Sequence, residues 1–227
     1  MRFGVNYTWS KNIDNISVDG SGFTSPIDNF NFRLNRALSD AHRAHTFNWT
    51  VSYFIPFGKG KQFGGGMPQW LDTMIGGWEI GTLGFWTSGG VMTISSGLTT
   101  GPTTGATWAN YSGDRSVGGV TRVGSGVRFF APELNSQFTA PVAGFIGTSG
   151  RNTFTGPGFF NMDLSLIKRF KVREKMYFTL RGESYNFFNN PNFSNPAVNI
   201  QTPQTFGVIS STTGSQRVFQ LAGRFEF

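Results

Sequence analysis

Hydrophobic and polar residues alternate along several separate stretches of the chain, each with the period of two that marks a strand lying between two media. Phe3, Val5, Tyr7 and Trp9 alternate with Arg2, Gly4, Asn6 and Thr8 at one end of the sequence. At the other, Phe219, Leu221, Gly223, Phe225 and Phe227 oppose Val218, Gln220, Ala222, Arg224 and Glu226. Between them, Phe47, Trp49, Val51, Tyr53 and Ile55 oppose Thr46, Asn48, Thr50 and Ser52. Met162, Leu164, Leu166 and Phe170 form one apolar row, and Met176, Phe178 and Leu180 form the next. The pattern predicts six long strands over residues 2–10, 45–57, 78–95, 161–170, 175–187 and 217–227. Roughly ten residues is the length a tilted strand needs to cross a bilayer.

Two stretches break the rule. In 78–95, Trp78, Ile80 and Trp86 share a face while Leu83 and Phe85 oppose them, so a bulge or break is expected near Gly81 or at Gly89-Gly90. Lys168 falls on the apolar face beside a turn, where its long stem would let the ammonium reach lipid headgroups. For the two apolar rows around that turn to share a side, facing residue numbers must sum to an even value. The turn near Val172-Arg173-Glu174 therefore holds an odd number of residues.

The connections are of two kinds. Residues 11–44 are polar, with turn signals at Asp19-Gly20 and Ser25-Pro26; residues 97–158 are rich in Gly, Thr and Ser and read as irregular; and Phe206 to Ser210 is a short apolar piece in a third long connection. The stretches 58–77, with a brief helical turn over 67–75, and 171–174 are shorter. Placing Phe227 in the periplasm puts all three long connections outside and both shorter ones inside, the arrangement of bacterial outer-membrane barrels. The predicted fold is all-β: an antiparallel transmembrane β-barrel segment with long extracellular loops. Closed barrels start at about eight strands, so six imply that further strands come from elsewhere.

Composition agrees. Of 227 residues 25 are Phe and 31 Gly, only 14% are charged, and no window approaches the roughly 18 apolar residues of a membrane helix. Cysteine is absent, which removes disulfides and thiolate metal sites. The net charge of +7 is scattered except around Lys168 to Lys175, a hairpin turn, so nucleic acid is not an expected partner. Residues 1–9 have no apolar core or cleavage site of a signal peptide.

No catalytic, cofactor-binding or metal-binding residues are expected, and the chain does not read as an enzyme. His42 and His45 lie near Asp40, but no further ligands stand close in sequence. Phe63 and Phe129 occupy the last glycine position of the two dinucleotide-like patterns, and Gln62 follows Gly60-Lys61 where a phosphate loop needs Ser or Thr. Asp163, Arg181 and Glu183 point to the polar face and form a predicted lumen-facing cluster, best read as an ion-pair ladder. Trp9, Trp86 and Phe187 near outer strand ends, with Tyr53, Trp78, Phe225 and Phe227 near inner ends, mark two aromatic girdles.

Tyr7-Thr8-Trp9-Ser10-Lys11 with Ile13-Asp14, Leu38-Ser39-Asp40 with Arg43 and His45, Pro56 to Lys61, Gly76-Gly77-Trp78, Ser88-Gly89, Gly150-Arg151-Asn152, Gly156-Pro157-Gly158 and Asn186 to Phe193 carry a family likeness. In that order the chain resembles the C-terminal end of TonB-dependent outer-membrane receptors of the Oar-like group. The resemblance implies a plugged barrel of about 22 strands in the outer membrane of a Gram-negative bacterium. It further implies uptake of an unidentified nutrient and energy delivered through TonB. Residues 1–227 then correspond to the C-terminal part of the barrel, without plug domain or signal peptide, and whether Met1 is a true start or a truncation is left open. The implied partners are outer-membrane lipid, the remaining strands and plug, TonB through the N-terminal part, and the barrel assembly machinery. The ending also resembles the barrel-assembly signal, with Gln220, Ala222, Phe225 and Phe227 in its places, although Gly is usual where Ala222 stands.

Two alternatives follow from the residues. A soluble β-sandwich binding module would show short strands at spacings of about 8 to 12 residues. A small stand-alone outer-membrane barrel would need two more strands, one from Phe206 to Ser210 and one from a split at Gly89-Gly90.

Overall fold

The computed structural model describes residues 1–17, 26–101 and 105–227. The Asp19-Gly20 turn and Ser25 lie outside the described residues. Six long strands, β1 (Arg2–Trp9), β2 (His45–Phe54), β3 (Trp78–Thr87), β4 (Phe159–Arg173), β5 (Met176–Tyr185) and β6 (Val218–Glu226), join in chain order into one antiparallel meander. The sheet is open: β1 and β6 are its two edges. Among the described residues no helix is long and apolar enough to cross a membrane.

The register carries one apolar face across all six strands. Tyr7 faces Phe47, Phe47 faces Trp86 and Trp86 faces Phe160. Farther along the sheet, Phe170 faces Phe178 and Phe178 faces Phe225. Directly opposed residues share a side of the sheet, so the alternations of the separate strands merge into one surface. Much of that surface is uncovered, including Phe3, Val5, Trp9, Phe219 and Leu221. The opposite face carries Asn48, Thr50, Ser52, Asn161, Asp163, Ser165, Thr179, Arg181 and Glu183.

The departures from expectation are local. β3 stops at Thr87, short of the predicted end at 95, and the break falls at Gly89-Gly90 and not at Gly81, which stays paired with Ser52 and Ser165. A side chain on Gly89 would put its Cβ 1.8 Å from the Gly156 carbonyl oxygen, and Gly156 N–H donates to Gly90 O at 2.7 Å. That backbone crossing turns the chain out of the sheet, and Val91–Met92 pairs instead with Phe154–Thr155. Between β4 and β5 the even register holds from Leu164↔Ser184 to Lys171↔Tyr177, then shifts before Arg173↔Met176. The odd residue required by parity is Val172, taken up as a β-bulge ahead of a two-residue turn.

At the β2–β3 end of the sheet, α1 (Gln69–Ile75) forms within the predicted helical stretch. Asp72 holds this connection by accepting the Lys59 N–H at 2.7 Å and, through its carbonyl, the Gly76 N–H at 2.9 Å. Lys168 does not reach outward as expected. It is buried, its ammonium donates to the Gly76 carbonyl, and it lies 5.5 Å from the Trp78 ring centroid and 5.1 Å from that of Phe170. The Gly76 carbonyl, at the end of the β2–β3 connection, takes the ammonium instead.

Residues 97–158 are largely irregular, as expected, with regular structure among the described residues confined to Thr121–Val123, Gly126–Arg128, Pro132–Gln137 and Phe154–Thr155, but the stretch is packed. Its described residues fold with the β5–β6 connection into a packed outer module, because the phenylalanines in these stretches bury one another. Phe130, Phe154, Phe206 and Ile94 are fully enclosed, with Tyr111 stacked on Phe138 at 4.3 Å and Phe130 on Phe206 at 5.6 Å. Val208–Ile209 pairs with Gly126–Arg128, which pairs with Thr121–Val123, so the apolar piece at 206–210 belongs to this module and not to the long sheet. The hydrophobic core of the chain thus lies outside the meander.

Candidate functional site

The three long connections leave from one end of the sheet, and the segments that anchor them converge there. Ile13–Asp14 pairs with Ala37–Leu38, which brings Asp14 and Asp40 together. Into that corner comes Arg151. Its guanidinium lies 2.7 Å from Asp14 and 3.6 Å from Asp40, donates to Asn35 O at 3.0 Å and also bonds Ser17 Oγ. Arg151 is 4% exposed, so a charge that would be costly alone is balanced by the acceptors around its two terminal nitrogens, while its Nε has no partner. Burial alone would raise the Asp14 carboxyl, but hydrogen bonds from Ser17, Arg151 and Ser39 and the Arg151 charge outweigh it and hold the group below its ordinary value. Beside it Asn152, in the left-handed region at φ 53°, donates to Leu38 O and Asp40 and accepts from Thr93 Oγ1.

A second set of amides ties the β5–β6 connection to the sheet. Asn192 accepts the Phe160 N–H at 2.7 Å and donates to Phe160 O at 2.9 Å, so its side chain extends the edge of β4 as a strand would. Asn186, at φ 48°, accepts from Asn190 N and donates to Asn190 O and Ser215 O.

An open cavity of about 480 Å³ lies on the polar face, between the outer ends of β2, β3 and β4 and chain segments adjoining these anchors, among them Pro157-Gly158 and Phe193 to Asn195. Phe85, Phe159 and Phe193 give it aromatic walls, and Arg43, Thr87 and Asn195 contribute polar groups. Phe85 meets Phe159 edge-on at 5.9 Å, which explains why this phenylalanine interrupts the polar row of β3. Such a mixed lining suits a solute with an apolar body and a few polar or anionic groups. Reading the sequence did not single out the cavity; the misplaced Phe85 was its only sign.

The predicted polar cluster divides. Arg181 and Glu183 pair at 2.7 Å, but Asp163 accepts from Asn161 Nδ2 and from the Asn186 N–H, both at 2.9 Å, because it lies level with the exit from β5. Toward the other end, Arg169 and Arg224 share Glu226 at 2.7 and 3.3 Å, so the ladder continues along this face. Gln220, Ala222 and Phe225 lie in β6 opposite Glu183, Arg181 and Phe178, with Phe227 just beyond the strand. The two histidines make separate contacts. His42 Nδ1 accepts the Asn12 N–H at 3.2 Å, and His45 lies on the apolar face with Nδ1 2.8 Å from the Tyr7 hydroxyl. Burial, then the charges of Arg43 and Lys11, push the His42 imidazole below its ordinary value.

A meander with one apolar and one polar face, its core displaced to one end, is the architecture of a membrane-spanning β-sheet. The family model described as an outer membrane beta barrel domain matches residues 1–220. The chain belongs to the outer membrane beta barrel domain family. Among curated proteins and among solved structures nothing matches. Membership places the barrel in the bacterial outer membrane, which excludes the soluble sandwich. The uncovered apolar face therefore meets lipid, and the polar face, with its cavity, meets the interior. Outer-membrane barrels carry their long loops outside and short turns in the periplasm, so the packed module stands at the outer mouth.

Proposed function

We propose that this barrel segment is the C-terminal part of an Oar-like TonB-dependent receptor that imports a nutrient recognised at its outer mouth. One observation carries the reading: segments of the family likeness that are far apart in sequence meet at the mouth. Asp14, Asp40, Arg151 and Asn152 bond one another, Gly89 abuts Gly156, and Asn192 is fixed to Phe160. Their sequence neighbours Gly90, Pro157 and Phe193 line the cavity with Phe85 and Arg43. The unpaired edges of β1 and β6 suit a larger barrel of about 22 strands that also holds a plug. In this role the chain is a conduit and not an enzyme, and it needs no cofactor of its own.

Growth on a panel of limiting nutrients tests the reading, comparing the parent strain, a strain lacking this gene and a strain lacking TonB. The expected result is a defect on the same source in both deletion strains. A defect from loss of this gene that loss of TonB does not reproduce overturns TonB-driven import.

A further inference from the structure

The lipid side of the sheet is not uniformly covered. Over β5, the apolar face presents Gly182 and Ser184 where its neighbours present Leu164 and Leu166 on β4 and Phe219 and Leu221 on β6. A Cβ added at Gly182 would meet nothing within 4 Å. The result is a groove of about 390 Å³ whose walls are those four side chains, with Phe187 at its outer end. The strands flanking β5 stand about 10 Å apart, a gap of the width of one hydrocarbon chain with its contacts. One wall group is out of character. Ser184 is 5% exposed, and its Oγ has no hydrogen-bond partner. A buried hydroxyl left unpaired in a largely apolar groove, which Glu183 and Gln220 also line, is costly.

We propose that this groove binds one acyl chain of an outer-leaflet lipid, with the carbonyl at the head of the chain accepting a hydrogen bond from Ser184 Oγ. Depth supports the assignment. Ser184 is the next-to-last residue of β5 at its outer end, and a strand of this length just crosses the hydrocarbon, so Ser184 stands nearer its outer limit than Gly182. The chain runs from Ser184 past Gly182 between Leu166 and Leu221, replacing the side chain that glycine lacks. The groove depends on membership of the barrel family and not on the receptor reading, and lipid binding involves neither TonB nor a nutrient.

The protein is extracted from its own outer membranes in mild detergent, exchanged extensively, and weighed by native mass spectrometry. One lipid per protein is expected to survive exchange in wild type. Gly182→Phe, which fills the groove, abolishes retention; Ser184→Ala lowers it about fivefold; and Val5→Phe, on the lipid face of β1, leaves it unchanged. Equal retention by wild type and Gly182→Phe overturns the proposal, as does a retained protein or peptide in place of lipid. Wild type carrying a photoreactive acyl lipid gives a second measurement that needs no variant. Labelling concentrated on β5 and on Phe219 to Leu221 supports the site, and uniform labelling of all six strands overturns it.

Discussion

Arg151 Nη2 lies 2.7 Å from Asp14 Oδ1, an ion pair that joins the β1–β2 connection to the β3–β4 connection. Its removal leaves the Asp14 carboxylate with hydroxyl partners, Ser17 Oγ at 2.6 Å among them, but without its opposite charge. Arg151→Met is expected to destabilise the docking of the β1–β2 connection on the outer module by about 3 kcal/mol, the lower end for a broken buried pair because Asp14 keeps some contact with water. Arg151→Lys is not expected to rescue it, since one ammonium cannot reproduce a planar fork directed at Asp14, Ser17 and Asn35. Limited proteolysis within residues 26–44 reads the loss, while the heat-modifiable mobility of the barrel stays unchanged.

Two groups at the mouth make its stability fall with acid in separate steps. His42 has a folded value below its ordinary 6.5, so the unfolded chain takes the proton first. Its contribution is complete above pH 6.5 and lost as pH falls through the lowered folded value. Asp14 is held below 3.8, so its contribution is complete above that pH and lost only in stronger acid. Protection from hydrogen exchange over residues 11–17 and 26–44, corrected for the intrinsic rate, is expected to begin falling as pH drops below 6.5. His42→Asn, which can still accept from Asn12 N–H but does not titrate, removes that first step and leaves the acid one.

Phe130 is fully enclosed, within 6.0 Å of the rings of Phe138, Phe154 and Phe206. Phe130→Ala is expected to cost the outer module about 3–5 kcal/mol through lost contacts and the cavity left behind. Because this core lies apart from the meander, the loss appears as protease sensitivity in 105–158 without a fall in barrel assembly. A parallel loss of barrel would mean that module and sheet fold as one cooperative unit.

Much of the meander was legible because a strand between lipid and an aqueous interior obeys one rule at every position. Phe3 to Trp9 and Phe219 to Phe225 reveal their faces without knowledge of any neighbour, and pairing only confirms them. Lys168 and Phe85 broke the rule for tertiary reasons that no local pattern contains: a carbonyl from the preceding turn, and a second ring from β4. The outer module was illegible for a related reason. Its rings are spread through Gly- and Thr-rich chain with no period, so Phe130 and Phe138 read as isolated residues, and Phe206 as the start of a short apolar piece, until long-range contacts bring them together. Arg151 and Asp14 appeared only as pieces of a likeness, because an ion pair between distant loops leaves no spacing to find.

Phe227 extends past β6 and is 96% exposed, while Phe225 packs on the lipid face opposite Phe178. The difference separates recognition from folding. Phe225→Ala removes cross-strand contact as well as an aromatic anchor, so a fall in barrel level after that change has two explanations. Deleting Phe227 removes almost no packing, and its direct effect on stability is expected to stay within about 0.5 kcal/mol. If Gln220, Ala222, Phe225 and Phe227 act as an assembly signal, the same deletion in the full protein lowers heat-modifiable barrel in outer membranes at least severalfold. Barrel that does assemble then melts as wild type. Unchanged membrane levels would assign the terminal aromatic no part in assembly, and equal losses of level and melting temperature would make its role one of folding.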